Sequence, residues 1–352
     1  MEQFVVPPGS HAAEPPEQRG LQRDEVRLLV TTPRGVVHRQ FRDLPDLLAE
    51  GDLVVVNTSA TLPAALRVVR ASDSRARMHV AGQRDDGSWV VELRSSDNRG
   101  PADDVAVGER VALPGGARLC VRSSYPLPGQ RKSRLWLATP DRTIDRVSFL
   151  HEHGEPIRYG YLSSSWPLTA LQTVYADEPG SAEMPSAGRP FTDRVLIRLM
   201  VRGVTVAPLV LHTGVSSPEK HEPPVAEWLH VPSATARLVK QTKEAGGRVV
   251  AVGTTVVRAL ESAADSAESI RATEGWTDLV LSPNRPAMVV DALITGLHEP
   301  ESSHLQLLEA VAGRALVRAG YAAALREGYL WHEFGDSMLL LPSPKVTAPR
   351  EI

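Results

Sequence analysis

The sequence predicts an α/β domain that is interrupted by a small antiparallel β-barrel. From about residue 195 onward, predicted strands and helices alternate, which is the pattern of α/β architecture. Between residues 67 and 157, short alternating segments separated by turns predict a small barrel instead. We therefore assign residues 67–157 to an inserted β-barrel domain, and residues 1–66 and 158–352 to a discontinuous main domain.

Local patterns predict the individual elements in chain order. The first 20 residues are rich in Pro, Glu and Ala, which predicts a flexible arm, and two alternating segments at 26–31 and 36–41 predict a hairpin. Barrel strands are predicted at 77–81, 89–93, 109–113, 118–122 and 134–138. In the main domain we predict strands at 53–56, 204–211, 249–252, 279–281, 289–294 and 337–341, and helices at 44–49, 144–153, 233–245, 255–264 and 303–318.

Composition limits the classes of protein to which the chain can belong. With 352 residues, 42% of them hydrophobic, the chain can bury a sizeable core. Its one cysteine, Cys120, excludes an internal disulfide and a cysteine metal cage. The chain has no apolar run of membrane-spanning length and no signal-peptide pattern, so we expect a cytoplasmic protein, and a monomer. The net charge of −3 is unlike that of a protein built to bind a long phosphate backbone.

A strand, a glycine and two hydroxyl residues follow one another at residues 249–255. Residues 249–252 form a short apolar run, Gly253 interrupts it, and Thr254 and Thr255 stand where a helix N-cap belongs. The first amides of a helix have no partner within the helix, so such a turn is suited to bind an anion.

Arg258 follows one helical turn later, on the same face as the two threonines. A cation is unfavourable near the positive end of a helix, so Arg258 needs an anionic partner. Two interpretations stay open on spacing alone. In one, Arg258 binds the carboxylate or phosphate of a ligand; in the other, it pairs with Glu261 on a purely structural helix.

Further polar residues lie at the ends of predicted strands, where open α/β sheets bind ligands. His212 and His298 follow two strands, and Asp336 precedes the last one. We expect these three side chains to converge with Thr254 and Thr255 on one cleft. The alternative is that each histidine is a structural hydrogen-bonding residue, which is the more common role at a strand end.

No metal site is expected from histidine spacing. His151 with His153, and His298 with His304, offer side chains that could bind a metal. Neither pair has the spacing of a recognised metal motif, such as two histidines four residues apart on a helix.

Several blocks resemble the S-adenosylmethionine:tRNA ribosyltransferase-isomerase family of queuosine biosynthesis. The segment Val-Gly-Thr-Thr-x-x-Arg-x-Leu-Glu-Ser at 252–262 is similar to that family's signature. Other blocks occur in the family's order: Gly-Asp-Leu-Val-Val-Val-Asn at 51–57, Leu-Gln-Thr-Val-Tyr-Ala at 171–176, Met-Pro-Ser-Ala-Gly at 184–188 and Phe-Gly-Asp-Ser-Met at 334–338. The segment at 291–303 is similar to a block ending Asn-Phe-His-Leu-Pro-x-Ser-Thr.

The resemblance implies a β-barrel inserted in an α/β domain and an unusual use of S-adenosylmethionine. That co-substrate donates its ribosyl group, and the family's reaction uses no prosthetic group and no metal. A base removes a proton from the 5′ carbon beside the sulfonium, adenine leaves, an aminomethyl group of the preQ1 base in tRNA attacks, and methionine departs as the epoxide-bearing ring of epoxyqueuosine forms. The implied partners are S-adenosylmethionine and tRNA.

The resemblance also implies roles for residues in the matching blocks. The co-substrate would be bound by Gly253, Thr254, Thr255 and Arg258, which suit the methionine carboxylate. Proton transfer would fall to His212, His298 and Asp336, without a decision on which group is acid and which is base. Substrate would contact Asn57, Gln172, Tyr175 and Ser186.

Some positions depart from the family pattern on what we infer to be the acceptor side. Ala60 and Ala65 stand where the family has arginine, and Pro190 stands where it has histidine. Arginine binds phosphate through a planar fork, so these changes argue against tightly bound tRNA. Three hypotheses follow: a divergent tRNA-modifying enzyme, an enzyme that uses the same donor with another and smaller acceptor, or a non-catalytic binding protein. We predict weak or no activity on preQ1-tRNA.

Overall fold

The structure is a computed structural model that describes residues 4–72, 74–95, 97–98, 100–130, 133–158, 160–215, 225–267, 269–300 and 302–343. Its strands are β1 Arg27–Thr32, β2 Gly35–Gln40, β3 Leu53–Asn57, β4 Ser59–Thr61, β5 Ala65–Val69, β6 Arg75–Gln83, β7 Trp89–Leu93, β8 Arg110–Ala112, β9 Arg118–Tyr125, β10 Leu135–Pro140, β11 Glu178–Ser181, β12 Thr205–Leu211, β13 Glu227–Val231, β14 Val249–Val252, β15 Ala264–Ser266, β16 Ser269–Ile270, β17 Thr273–Thr277, β18 Ala292–Thr295 and β19 Ser337–Leu340. Its α-helices are α1 Arg146–His153, α2 Asp193–Val201, α3 Ser233–Glu244, α4 Thr254–Ser262, α5 His304–Ala312 and α6 Arg314–Arg326, and short 3₁₀ turns include Pro16–Arg19, Phe41–Asp46 and Ser186–Gly188.

The main domain is built on a nine-stranded mixed sheet in the order β17-β13-β12-β3-β14-β18-β19-β1-β2. Its four central strands β12, β3, β14 and β18 are parallel. Every residue of β3, β14 and β18 is buried, which explains why these strands are continuous apolar runs rather than alternating ones. The carboxyl ends of the four parallel strands lie at one edge of the sheet, and that edge carries the site described below.

Apolar side chains cover both faces of this sheet. Alternate residues of β3 point to opposite faces, so Leu53 and Val55 pack with α3 to α6, whereas Val54 and Val56 pack with α2 and the 3₁₀ turn Phe41–Asp46. The sheet therefore lies between two helical layers, as the alternation of strands and helices predicts.

The inserted unit is a closed six-stranded barrel in the order β10-β7-β6-β5-β8-β9, with antiparallel pairing throughout. Its interior holds apolar side chains such as Met78, Val91 and Leu119. The fold class predicted from the sequence, an α/β domain with an inserted antiparallel barrel, is confirmed. The exact limits of the two domains, at residues 66/67 and 157/158, stay a prediction.

Two further strands connect the domains. The chain leaves β3 through β4 on its way to the barrel, and it returns through β11, which pairs with β4 in parallel. This small two-stranded sheet lies over the ends of β3 and β12, where Thr213 donates its amide to Ser181 Oγ (3.0 Å).

Three local predictions are corrected. The described part of the N-terminal arm is packed on the main domain: the Phe4 ring lies 5.1 Å from that of Tyr321, His11 forms a backbone bridge with Trp331, and Ala12 is buried. The predicted helix at 303–318 is two helices, α5 and α6, because Gly313 has a φ of 80° and separates them. Residues 279–281 are not a strand, and the edge strands β13 and β17 were not predicted. Within the described ranges, no helix has the combined length and hydrophobicity needed to cross a bilayer.

Candidate active site

A cavity of about 540 Å³ lies between the barrel and the carboxyl edge of the main sheet. A volume of this size accommodates a small-molecule substrate or cofactor. Its polar wall includes, from the barrel, His79, Glu92, Arg94 and Arg134; from the connecting segments, Arg158, Tyr161, Glu183, Ser186 and Thr213; and from the main domain, Glu227, Gly253, Thr254, Thr255, Arg258, Thr295, His298, Glu299, Ser302, Ser303, His304, His332 and Glu333.

The turn between β14 and α4 forms one side of the cavity. Gly253 is the N-cap of α4, and its φ of 90° is a conformation that a side chain would strain. Its amide donates to the carbonyl of Ile294 (2.8 Å), which ties the turn to β18. Thr254 and Thr255 are thus the first two helical residues, not the cap as predicted. Their amides belong to the first turn, which has no partners within the helix.

Arg258 lines the cavity but is held by protein groups. Its guanidinium pairs with Glu227, and it donates to the carbonyls of Thr277 (3.1 Å) and Leu279 (3.2 Å). The predicted structural alternative, a pair with Glu261, is wrong. Glu261 instead accepts the backbone amides of residues 288–290 at 2.8–2.9 Å.

Two stacked histidines form the next part of the wall. The rings of His298 and His304 lie 4.6 Å apart with an interplanar angle of 22°. His298 Nε2 shares a hydrogen bond with Thr295 Oγ1 (2.9 Å), and His304 Nδ1 shares one with Ser302 Oγ (2.8 Å). Burial, with smaller contributions from His304 and His332, holds the pKa of His298 well below its usual range, and burial and Arg258 lower that of His304 to about 4. Both imidazoles are therefore neutral at physiological pH.

The barrel supplies a charged wall opposite the sheet. Glu92 is buried and pairs with both Arg94 and Arg134, the latter at 2.5 Å. His79 lies beside Glu92, at 3.9 Å, and burial lowers its pKa to about 4 in spite of that carboxylate. One glutamate thus faces two arginines, so the barrel wall is less basic than its arginines alone indicate.

A second cluster lies at the mouth of the cavity, below the histidine pair. Tyr161 donates a hydrogen bond to Glu333, whose pKa is raised by burial to about 7. The Tyr161 ring stacks on His332 at 4.4 Å. His332 and His11 both meet Glu299. None of these residues was singled out from the sequence.

Comparison with known proteins adds to this geometry. The family model described as queuosine biosynthesis protein matches residues 2–340. The chain belongs to this family. It is 37% identical to the S-adenosylmethionine:tRNA ribosyltransferase-isomerase of Thermus thermophilus over 346 residues, which are 93% of this chain and 97% of the relative. It is 34% identical to the enzyme of the same name from Moorella thermoacetica, over 96% and 98% of the two chains.

A solved structure agrees with the family assignment. The crystal structure of S-adenosylmethionine tRNA ribosyltransferase from Thermotoga maritima is similar to this chain with a TM-score of 0.53 and 28% identity, over 96% of this chain and 99% of that one. The resemblance predicted from the sequence is therefore confirmed.

Six of the predicted site residues line the cavity. They are Ser186, Gly253, Thr254, Thr255, Arg258 and His298. The other five, His212, Asp336, Asn57, Gln172 and Tyr175, lie outside it, and each is engaged in the fold.

His212 was expected in the cleft, but it is enclosed beside it. Its Nδ1 shares a hydrogen bond with Ser59 Oγ (2.8 Å), and its ring stacks on Trp228 at 5.1 Å. Burial, assisted by Arg146, lowers its pKa to about 4. A Cβ on Gly180 would come within 2.2 Å of His212 Nδ1, so β11 packs directly on the imidazole.

Asn57, predicted as a substrate contact, is buried and connects two strands. Its amide group exchanges hydrogen bonds with the backbone of Leu211, as donor at 2.8 Å and as acceptor at 3.0 Å. It also accepts from the amide of Ser59 (3.1 Å) and donates to Thr255 Oγ1 (3.3 Å). Asn57 therefore supports the turn from behind.

The remaining three predicted residues also make contacts within the protein. Gln172 hydrogen-bonds both backbone groups of Thr61, at 2.8 and 2.9 Å. Tyr175 is half-buried against Phe191, and burial of its hydroxyl raises its pKa. Asp336 forms a salt bridge with Arg27 (2.8 Å) and accepts the amide of Leu330 (2.8 Å). Asp336 does lie near the same edge of the sheet, but its carboxylate turns towards β1.

The three departures from the family pattern also lie outside the cavity. Ala65 is buried in β5, with a backbone bridge to Glu155. Ala60 is in β4, and Pro190 is buried beside Arg189. The positions of these residues therefore do not indicate that arginines were lost from the cavity.

Proposed function

We propose that this chain binds S-adenosylmethionine at the β14–α4 turn and transfers its ribosyl group, as a ribosyltransferase-isomerase. The observation that carries the proposal is the position of the residue 252–262 segment. It presents the first turn of a nine-residue helix to a cavity closed on the other side by the barrel. The family assignment supplies the donor, because the relatives are named for it.

The first turn of α4 is the proposed anchor of the methionine carboxylate. Its free amides and the hydroxyls of Thr254 and Thr255 are donors, and the positive end of the helix favours an anion. Arg258 stands behind this turn and is already paired with Glu227. We therefore assign Arg258 a smaller direct share in binding than the sequence pattern indicates, and a larger share in holding β13 and β17 against α4.

His298 and His304 are the proposed groups for proton transfer. Each imidazole is neutral and has one ring nitrogen engaged by a hydroxyl, so its other nitrogen is left for substrate. In the reaction, one base takes the proton from the 5′ carbon beside the sulfonium, and an acid returns a proton to adenine as the C–N bond breaks. His212 and Asp336, which the sequence predicted as proton-transfer groups, are not assigned that role in the proposal.

A second candidate function is the same transfer to an acceptor other than preQ1-tRNA. One observation favours an amine as the acceptor: among the described residues that line the cavity are four arginines and five glutamates, so the wall is not basic. Such a wall suits a cationic aminomethyl group better than a phosphate. A free amine and the aminomethyl group of a modified tRNA base both meet this requirement.

The test is the release of adenine and methionine from S-adenosylmethionine, measured by liquid chromatography. The protein is incubated with donor alone, with preQ1-tRNA, and with free preQ1. Release of the two products in equal amounts, dependent on an acceptor, supports the proposal, and the acceptor that is consumed separates the two candidates. Donor binding without release under all three conditions would contradict it and favour a non-catalytic binding protein.

A further inference from the structure

Two imidazoles and one carboxylate meet at the mouth of the cavity. His11 Nε2 lies 2.8 Å from Glu299 Oε1, and His332 Nε2 lies 3.2 Å from the same oxygen. The three ligand-capable atoms lie within 4.8 Å of one another. Two histidines and a glutamate are a known protein ligand set of zinc sites that keep a fourth position open.

The backbone fixes two of the three residues relative to each other. His11 forms a parallel bridge with Trp331, the neighbour of His332: Trp331 donates its amide to Ser10 (2.8 Å) and accepts that of Ala12 (3.1 Å). The N-terminal segment is thereby held beside the segment that carries His332. The cluster is a meeting of three separate chain segments and not a chance approach of mobile side chains.

His332 has a backbone conformation that is unfavourable for its residue type. Its φ is 69°, in the left-handed region that a residue with a Cβ rarely adopts. The imidazole lies 3.2 Å from Glu299 Oε1 and stacks on Tyr161 at 4.4 Å. Strain of this kind is concentrated at functional sites.

We propose that His11, Glu299 and His332 bind a divalent transition-metal ion, with zinc as the preferred ion. Zinc–nitrogen and zinc–oxygen bonds of about 2.0–2.1 Å in tetrahedral geometry place neighbouring ligand atoms about 3.3 Å apart. The two separations from Glu299 Oε1, 2.8 and 3.2 Å, need to open by about half an ångström at most. The ligand atoms of all three residues lie within 4.8 Å of one another, so the two imidazoles need to approach each other by about 1.5 Å at most. Glu299 and His332 line the cavity, so an ion bound here would lie at the cavity wall.

The site does not follow from the family resemblance. None of the three ligands is among the residues to which the resemblance assigns a role. The competing explanation is a hydrogen-bonded cluster without metal, in which both imidazoles donate to one carboxylate oxygen. That cluster gives the same distances, and the two explanations differ in what happens when the charge of Glu299 is removed.

The experiment is a calorimetric titration of the chelator-treated full-length protein with Zn²⁺, repeated with Co²⁺ as a visible spectroscopic probe. We expect one saturable equivalent of Zn²⁺ and, for Co²⁺, the d–d absorption of a four-coordinate ion. Glu299→Gln keeps a hydrogen-bond acceptor but loses the charge, so it should fold normally and bind Zn²⁺ at least about tenfold more weakly. His11→Gln should have a similar effect.

His151→Gln serves as the matched control, because His151 lies on α1 and is exposed. It should bind Zn²⁺ as the unmodified protein does. The proposal is overturned if no single equivalent saturates, or if Glu299→Gln and His11→Gln bind Zn²⁺ as tightly as the control does. The metal titration is carried out without S-adenosylmethionine, so its outcome is independent of the proposed ribosyl transfer.

Discussion

The residues that directly follow β14 and β18 include cavity-lining residues, whereas Asn57 at the end of β3 and His212 directly after β12, in the same parallel array, lie outside the cavity. The segment after β12 reaches the cavity one residue later, at Thr213. Gly253, Thr254 and His298 follow the first pair of strands and line the cavity. Asn57 and His212 occupy equivalent positions on β3 and β12, and both side chains form hydrogen bonds within the protein. Position at the carboxyl end of a parallel strand is therefore necessary for this site but does not suffice.

The difference has a physical cause in the chain's route between the domains. The strands β4 and β11 cross the ends of β3 and β12 and cover them. There Ser59 Oγ meets Ser181 Oγ (2.6 Å) and His212 Nδ1 (2.8 Å), which satisfies the polar groups that would otherwise meet a ligand. Among the described residues, no such two-stranded sheet covers the end of β14, and the cavity lies between that end and the barrel.

The largest expected effect on stability and donor binding comes from replacing Arg258. Arg258 lines the cavity but, like Asn57 and His212, it is bound to other groups of the protein. In Arg258→Ala the Glu227 carboxylate loses its partner, and both side chains are largely buried, at 12% and 15% exposure. We expect the free energy of unfolding to fall by about 3 kcal/mol, and donor affinity to fall about tenfold. Chemical denaturation and calorimetry with S-adenosylmethionine measure the two effects.

The double variant Arg258→Ala/Glu227→Gln is the control for the unpaired carboxylate. It should regain part of the lost stability, because no buried charge is left alone, while donor affinity stays low. Donor affinity at the level of the unmodified protein in this double variant would mean that Arg258 is purely structural.

Asn57 should behave in the opposite way. Asn57→Ala leaves the amide and carbonyl of Leu211 without their buried partner, so the free energy of unfolding should fall by about 2–3 kcal/mol. Donor affinity of the folded variant should fall less than in Arg258→Ala, because the turn loses only the 3.3 Å hydrogen bond from Asn57 to Thr255 Oγ1. Thr205→Ala, an exposed change at the other end of β12, should alter stability by less than about 0.5 kcal/mol. A tenfold loss of donor affinity in Asn57→Ala would contradict its assignment to the covered pair.

A smaller effect is expected at His212, and only in acid. Its pKa falls from 6.5 in the unfolded chain to about 4 in the fold, so the unfolded state binds the proton more readily. The stability that His212 contributes is complete above about pH 6.5 and is lost as the pH falls towards about pH 4. Between about pH 7 and pH 5 we expect protonation of His212 in the unfolded chain to lower the free energy of unfolding by about 1–2 kcal/mol. The His212→Gln variant should not show this decrease. Parallel pH profiles of denaturation for the two proteins would contradict this.

The sequence predicted those parts of the molecule that depend on local pattern. Period-2 alternation marked the barrel, and buried apolar runs marked β3 and β14. The Gly-Thr-Thr turn indicated that the end of β14 and the start of α4 belong to the site. Each of these signals is contained within about a dozen residues, so no long-range contact is needed to interpret it.

What the sequence did not predict depends on pairing between distant segments. His212 and His298 both follow a predicted strand, so their sequence contexts look alike. The β4–β11 sheet encloses His212, whereas His298 lines the cavity. Glu227 and Glu92 meet arginines 31 and 42 residues away, with no spacing rule to connect them. The cluster of His11, Glu299 and His332 brings together residues from both ends of the chain, which no local motif could indicate.

The central claim is that the β14–α4 turn binds the donor. The most direct test is to measure the dissociation constant of S-adenosylmethionine for the Gly253→Ala variant and to compare it with that for the Gly246→Ala variant. Both glycines have a positive φ, of 90° and 79°, so Gly246→Ala controls for the strain of a side chain at positive φ. Among the described residues nothing lies within 4 Å of a Cβ at Gly246, whereas Gly253, with a ψ of 158°, has a backbone conformation that is essentially restricted to glycine, so a Cβ there should shift the turn. Calorimetry should give a dissociation constant for S-adenosylmethionine raised about tenfold or more, roughly 1.4 kcal/mol, in Gly253→Ala and unchanged in Gly246→Ala. Equal affinity in the two variants would contradict the claim.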